Sequence, residues 1–267
     1  MRHIHLDQLL EDVFSGHDKK HKDRLLKAHK QAARRKGTKR QLYIDTRGPD
    51  KWSPVKNRLT AILGNKCWYT EVELIGASLA IDHYRPTCDY WFLSFTPANF
   101  RVSCPFANSP KHNPLYNCVG GKGDRFPLLP PTQRATRTYL LSSERPVILD
   151  PCNPADCALI AFQTTGRPVI HPDYVGDPTA VYRVEESNIL LNLDHPDFNS
   201  KREELYHDIL DDVETYEDLA PKSKKRETIR GRMKRRLSEK APFSIAARQY
   251  LKLHRGYDWV EDLLEGK

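Results

Sequence analysis

Between residues 67 and 129 the chain loses its helical texture, and that break limits what it can fold into. The stretch consists of short β-prone pieces separated by polar turns. Leu79-Ala80-Ile81 and Phe100-Arg101-Val102-Ser103-Cys104 read as two strands. Pro105 then opens a short helical run towards Lys111, with proline at an early helical position. The chain before this stretch reads as helical. Leu6 to Phe14 is one helix, and Lys19 to Lys36 is a second, with Leu25, Leu26, Ala28, Ala32 and Ala33 amid basic residues and Gly37 as its stop. A loop over Asp45 to Lys51 leads to a third helix, with Ser53 as N-cap and Pro54 at its first position. That helix carries Val55, Leu59, Ile62 and Leu63 on one face and ends near Gly64. Arg145 to Asp194, with its prolines and short apolar runs, reads as irregular α/β packing. From Asn192-Leu193-Asp194 onward the pattern is helical to the end, beginning with the acidic stretch Lys201 to Asp218. The expected fold class is therefore α+β, a strand–strand–helix module embedded in a largely helical chain. The expected divisions are a basic helical segment at 1–50, the module at 51–135, and a mixed then helical region at 136–267.

Charge narrows the partners. The 267 residues carry a net charge of +8, and most of the excess lies in two clusters. Lys19 to Arg40 holds eleven Lys or Arg residues, and Lys222 to Arg236 holds nine in fifteen positions. Such clusters attract a polyphosphate backbone, with a salt dependence set by counterion release. The plainer alternative is a solvated helix face, and the second cluster follows an acidic stretch that can pair with it. No apolar run approaches the ~20 residues needed to span a bilayer, so no membrane partner is expected. The N-terminus lacks the apolar core of a secretory signal, and the six cysteines are scattered rather than dense. Reduced thiols and a cytoplasmic location are the expectation.

The chemistry-bearing residues lie in the central stretch. It reads Cys67-Trp68-Tyr69-Thr70-Glu71, then Ile81-Asp82-His83-Tyr84-Arg85-Pro86, then Tyr90-Trp91-Phe92, Asn99 to Cys104, and Asn108-Ser109-Pro110-Lys111. A strand ending in Asp-His, an Asn-led second strand and a helix carrying another Asn resemble the ββα-metal motif of HNH endonucleases. One Asp-His pair is a chance event. An ordered set, with 16 residues from His83 to Asn99 and nine more to Asn108, is much harder to obtain by accident.

Phosphodiester hydrolysis explains the residue types. It needs a deprotonated water, in-line geometry and stabilised negative charge. A single hard divalent cation, Mg2+ or Mn2+, serves the last two needs when oxygen ligands hold it and leave positions open. Asp82 supplies a charged oxygen and Asn108 a neutral one. His83, with an ordinary pKa of about 6.5, can accept the water's proton. The resemblance gives Asn99 the role of shaping the loop and orienting the base. Lys111, Arg85 and Arg101 are the candidate phosphate contacts, and His112 a candidate extra ligand on the helix face of Asn108. Taken singly, each residue has an ordinary reading: a turn-forming Asp82, a surface His83, a capping Asn108.

Many HNH proteins brace this motif with zinc held by two Cys-x-x-Cys pairs. Here Thr70 and Ala107 stand where each pair would have its second cysteine. Two thiolates do not close a tetrahedral zinc site, so no structural zinc is expected, and packing of Trp68, Tyr69, Trp91 and Phe92 is expected to hold the core. Further runs extend the likeness: Gly123-Asp124-Arg125-Phe126-Pro127-Leu128 and Leu149-Asp150-Pro151-Cys152-Asn153-Pro154, and more weakly Asn192-Leu193-Asp194 and Ala241-Pro242-Phe243-Ser244. Together they resemble a bacterial HNH family that includes the nuclease subunit of Septu-type anti-phage defence systems, which works with an ATPase subunit. The likeness covers roughly 52–250. It implies a DNA endonuclease in a defence complex with an ATPase partner. RNA, tRNA included, stays open as substrate. So do two non-enzymatic readings: a degenerate HNH fold serving as a nucleic-acid-binding subunit, and a basic binding module.

Overall fold

Helices make the frame, and small antiparallel sheets fill the gaps between them. The structure is a computed structural model that describes residues 1–74, 76 and 78–266. The N-terminal part contains α1 (Leu6–Val13), α2 (Lys19–Ala33), α3 (Gly37–Arg47) and α4 (Pro49–Leu63). Helix α2 buries Leu25, Ala28 and Ala32, spaced three and four residues apart, and leaves its basic residues on the outside. Two expectations are corrected here. Gly37, expected as a helix stop, is the first residue of α3, where its φ of +50° turns the chain out of α2. The fourth helix starts at Pro49 rather than at Ser53-Pro54, so Pro54 lies inside it. Proline at the first position needs no backbone partner, which favours the earlier start. The Ser53 hydroxyl donates to the Pro49 carbonyl, the acceptor one turn back on the same helix.

The central module follows. Strand β1 (Ala80–His83) pairs antiparallel with β2 (Phe100–Ser103), in a register that sets Asp82 opposite Arg101 and His83 opposite Phe100. Helix α5 (Pro105–Asn108) leaves β2 after one residue. It ends at Asn108 rather than near Lys111, because Lys111 begins a hairpin, β3 (Lys111–Asn113) with β4 (Cys118–Gly120), that the sequence reading does not contain. The later chain holds α6 (Pro154–Ala158), the hairpin of β5 (Ile160–Phe162) and β6 (Pro168–Ile170), and α7 (Pro178–Leu190). Asp177 caps α7 by accepting from Thr179 and Ala180 ahead of the Pro178 start. Then come α8 (Pro196–Asp218), α9 (Lys224–Leu237), α10 (Ser244–Lys252) and α11 (Asp258–Glu265), the helical end that was expected. The fold is α+β. Among the described residues, no helix is long and apolar enough to cross a membrane.

One buried apolar cluster runs from Met1 to Leu263, so all three expected segments share a core. Trp68, Tyr69 and Phe92 belong to it, and Trp91 packs against its edge. Helix α4 lies against β1, with Val55 and Leu59 fully buried, and carries Trp52 to the end of that strand. Asn192 ties the C-terminal part to the module. It is buried in a left-handed conformation, and its side-chain amide donates to the Phe106 carbonyl at 2.9 Å while its Oδ1 accepts from Asn113 at 3.2 Å.

Candidate active site

The end of β1 carries the two residues expected to do the chemistry. His83 is 8% exposed, with the Trp52 ring edge-on at 4.5 Å and the Phe100 ring at 5.2 Å. Its Nε2 lies 2.9 Å from the Ser94 carbonyl oxygen. A carbonyl can only accept, so this bond assigns the proton to Nε2 and leaves the Nδ1 lone pair unprotonated. The Trp52 indole N–H donates to the same oxygen at 2.9 Å, which fixes the acceptor that orients the ring. Burial pushes the imidazole pKa down to about 4, with the Ser94 bond and the Asp82 charge acting the other way. The ring is therefore neutral near pH 7, the state a general base needs.

Asp82 is held on both oxygens. Oδ2 accepts from the Tyr69 hydroxyl at 2.7 Å, and Oδ1 accepts from the Lys122 ammonium at 2.8 Å. Lys122 is 1% exposed and also donates to the carbonyls of His83, at 2.7 Å, and Gly123, at 3.2 Å. It therefore grips both the side chain of Asp82 and the backbone of the next residue. Sequence reasoning missed it. The available signal was its place directly ahead of the Gly123-Asp124-Arg125-Phe126-Pro127-Leu128 run, but a lone lysine reads as surface by default. Its backbone N–H donates to Ala107 O, and that of Gly123 to Asn108 O, both at 2.8 Å, so the end of α5 and this loop are laced together.

Asn99 clasps the loop that leaves β1. Its Oδ1 accepts from the Arg85 N–H and its Nδ2 donates to the Arg85 carbonyl, each at 2.9 Å, while its own carbonyl accepts from Tyr84. It does not line the cleft. Asp82, His83 and Asn108 do, together with Thr87 and Asp124, around a space of about 140 Å³. Three of the four expected residues thus meet in one cleft, and the fourth fixes its wall.

The remaining candidates are placed differently. Arg101 is 3% exposed and makes a two-pronged bond to Asp150, both contacts at 2.7 Å. Its charge is taken inside the protein. Burial would raise the Asp150 carboxyl, but the Arg101 guanidinium outweighs it and holds the pKa below the ordinary carboxylate range. Arg85 pairs with the buried Glu144 at 2.6 Å, and Glu144 also accepts from Tyr90 at 2.7 Å. Lys111 is exposed on β3, with its ammonium 4.9 Å from the Phe106 ring centre. His112 lies on the same strand, so it does not share a helix face with Asn108. At the positions where zinc-braced HNH motifs carry cysteine ligands, Cys67 and Cys104 are both buried, and the Thr70 hydroxyl lies 3.8 Å from Cys104 Sγ.

No model of a protein family matches this chain, and no curated protein matches it in sequence.

Proposed function

We propose that the chain is a metal-dependent endonuclease of the HNH type, which hydrolyses phosphodiester bonds in DNA from the cleft at Asp82, His83 and Asn108. One observation carries this reading: the neutral, buried His83 is held through Nε2 by the Ser94 carbonyl, which leaves Nδ1 unprotonated, and His83 lines a cleft together with the oxygen-bearing side chains of Asp82 and Asn108. The donor set suits a hard cation such as Mg2+ or Mn2+, which is bound by one or two protein oxygens and keeps waters for the rest. Lys122 and Tyr69 each take one lone pair of the Asp82 carboxylate, so each oxygen retains another for a cation. Asp82 and Asn108 would hold the ion, which, when bound, offsets negative charge on the phosphate and the leaving oxygen.

The chain's own groups do the rest. His83 Nδ1 takes a proton from water as its oxygen attacks phosphorus. The bond to the 3′ oxygen breaks, and that oxygen leaves as a 3′-hydroxyl after taking a proton from solvent, with the 5′-phosphate on the other product. Asn99 keeps the loop beyond β1 from sliding, and Trp52 holds the acceptor that aims the imidazole. The defence setting and the ATPase partner rest on the family resemblance alone.

A specific observation favours a second reading, a nucleic-acid-binding subunit with a silent site. The Lys122 ammonium already compensates the Asp82 charge, which opposes a cation there. Plasmid cleavage separates the two. With Mg2+ or Mn2+, the parent protein is expected to nick or linearise DNA, and His83→Ala to be at least ~100-fold slower with DNA affinity nearly unchanged. Equal rates for parent and variant would refute the assigned base. Binding without cleavage by the parent, with and without an ATPase partner, would leave the silent-site reading.

A further inference from the structure

The two basic clusters of the sequence are not equivalent in the fold. In α9, Arg232 and Arg236 pair with Asp212 and Asp208 of α8, and Arg230 pairs with Asp262 of α11. Arg226 is stacked on the Tyr216 ring with its guanidinium carbon 4.5 Å from the ring centre. Those ion pairs match three of the nine cations at 222–236, and the exposed Lys224, Lys225 and Lys234 sit on a helix that packs chiefly against α8, α10 and α11, away from the strands of the cleft. Helix α2 is different. Lys20, Arg24, Lys27 and Lys30, with Arg34 at the C-cap, recur at three- and four-residue spacing, on the side away from the buried Leu25, Ala28 and Ala32. All five are exposed, and none has an acidic partner among the described residues. At 1.5 Å per residue the helix is ~22 Å long, about six base-pair steps of duplex.

This stripe leads to the cleft. Beyond α2, the exposed Lys36 and Lys39 continue it into α3. The Arg40 guanidinium carbon lies over the Trp91 ring, 3.7 Å from its centre, and the side-chain amide of Gln41 donates to the Thr87 hydroxyl at 3.5 Å. Thr87 lines the cleft beside Asp82 and His83. We infer that the outer face of α2, continued through Lys36 and Lys39, is the surface on which a DNA duplex lies so that its backbone reaches the cleft. The link to cleavage rests on the nuclease reading above; the binding surface does not. A duplex fits better than a single strand. Trp91, the aromatic ring beside this tract, is covered by Arg40 and stacked with His29, which removes it as a platform for unpaired bases. A lipid surface fits poorly, because the apolar face of α2 is already buried in the core.

Fluorescence anisotropy with a labelled 30-base-pair duplex, over a range of salt concentrations, tests this. Lys27→Gln/Lys30→Gln/Arg34→Gln is compared with the matched triple Lys224→Gln/Lys225→Gln/Lys234→Gln in α9. The α2 triple should bind at least ~10-fold more weakly and lower the salt slope by about 2 to 3, near 0.9 per lost phosphate contact. The α9 triple should stay within about threefold of the parent. Circular dichroism melts of both triples show whether the fold is retained. An α2 triple that binds like the parent, or an α9 triple that loses more, overturns the assignment. So does a polyglutamate competitor that displaces the duplex at equal mass, which would point to an acidic protein instead. A folded parent that binds in this pattern yet never cuts overturns the nuclease reading and leaves the surface standing.

Discussion

Lys122 places all the hydrogens of its ammonium on protein oxygens, and two of those oxygens belong to Asp82 and His83. Both members of the ion pair are buried, so removing one leaves the other charged and unmatched in a poor solvent for charge. Lys122→Met is expected to cost roughly 3 kcal/mol, the scale for breaking a buried pair from one side. Asp82→Asn combined with Lys122→Met should recover part of that loss. Urea midpoints for the two single variants and the double variant give the coupling, and simple additivity would mean that the pair is not linked as described. The same residue marks the limit of legibility in sequence. Asp82, His83, Asn99 and Asn108 could be picked out because their order along the chain carries the pattern. Lys122 meets Asp82 across 40 positions, a contact no local pattern announces. Arg85 and Arg101 were assigned to phosphate because they flank the motif. Their carboxylates, Glu144 and Asp150, lie 59 and 49 positions further on.

At the scale of elements, type was easier to read than punctuation. Glycine and proline mark breaks, but they do not say on which side of the break the helix lies, and both Gly37 and Pro49 turn out to open a helix rather than end or precede one. The β3–β4 hairpin was missed because its strands are three residues each, too short to display alternation. Its exit depends on Gly121, which has φ +86° and lies so close to α5 that a Cβ there would sit 1.8 Å from the Ser109 carbonyl oxygen. No side chain fits without moving backbone, and the backbone that moves carries Lys122. Gly121→Ala is expected to destabilise by on the order of 2 kcal/mol and, under the proposed nuclease function, to reduce cleavage further through the misplaced lysine. Gly176→Ala, where an added Cβ meets nothing within 4 Å, is the control and should melt like the parent. Equal melting temperatures for the two would show that the close approach does not constrain the fold.

Across the whole molecule, buried ion pairs pin remote segments of one core. Arg101 and Asp150 join β2 to the segment before α6. Lys66 and Glu71 meet at 2.9 Å beside Ser244 of α10. Burial works to raise the Glu71 carboxyl, but Lys66, with the nearby N-terminal amine and Ser244, holds it below its ordinary value, as Arg101 does for Asp150. The sign follows from linkage. The folded carboxyls hold their protons less tightly than the unfolded ones, so their contribution is complete above the ordinary carboxylate range and is lost as pH falls through the folded values. The urea midpoint should begin to fall as pH drops below about 6.5, where the unfolded chain protonates the histidine that the fold keeps neutral at position 83, and should fall further below about pH 4 as the carboxyls follow. Replacing one pair outright, as Arg101→Met/Asp150→Leu, should flatten part of that fall. An unchanged acid limb in the double variant would show that the pair is not what the pH dependence reports.

Asn192 has a consequence for anyone who would move this chemistry elsewhere. Its side chain serves the Phe106 carbonyl of α5 and the Asn113 amide of β3 from a point between α7 and α8. Residues 65–130 lifted into another scaffold would keep Asp82, His83 and Asn108 but lose the strut that sets the depth of α5. The proposed catalytic stretch is contiguous in sequence, yet it is no cassette: transplanting it faithfully means carrying a brace encoded some eighty positions downstream.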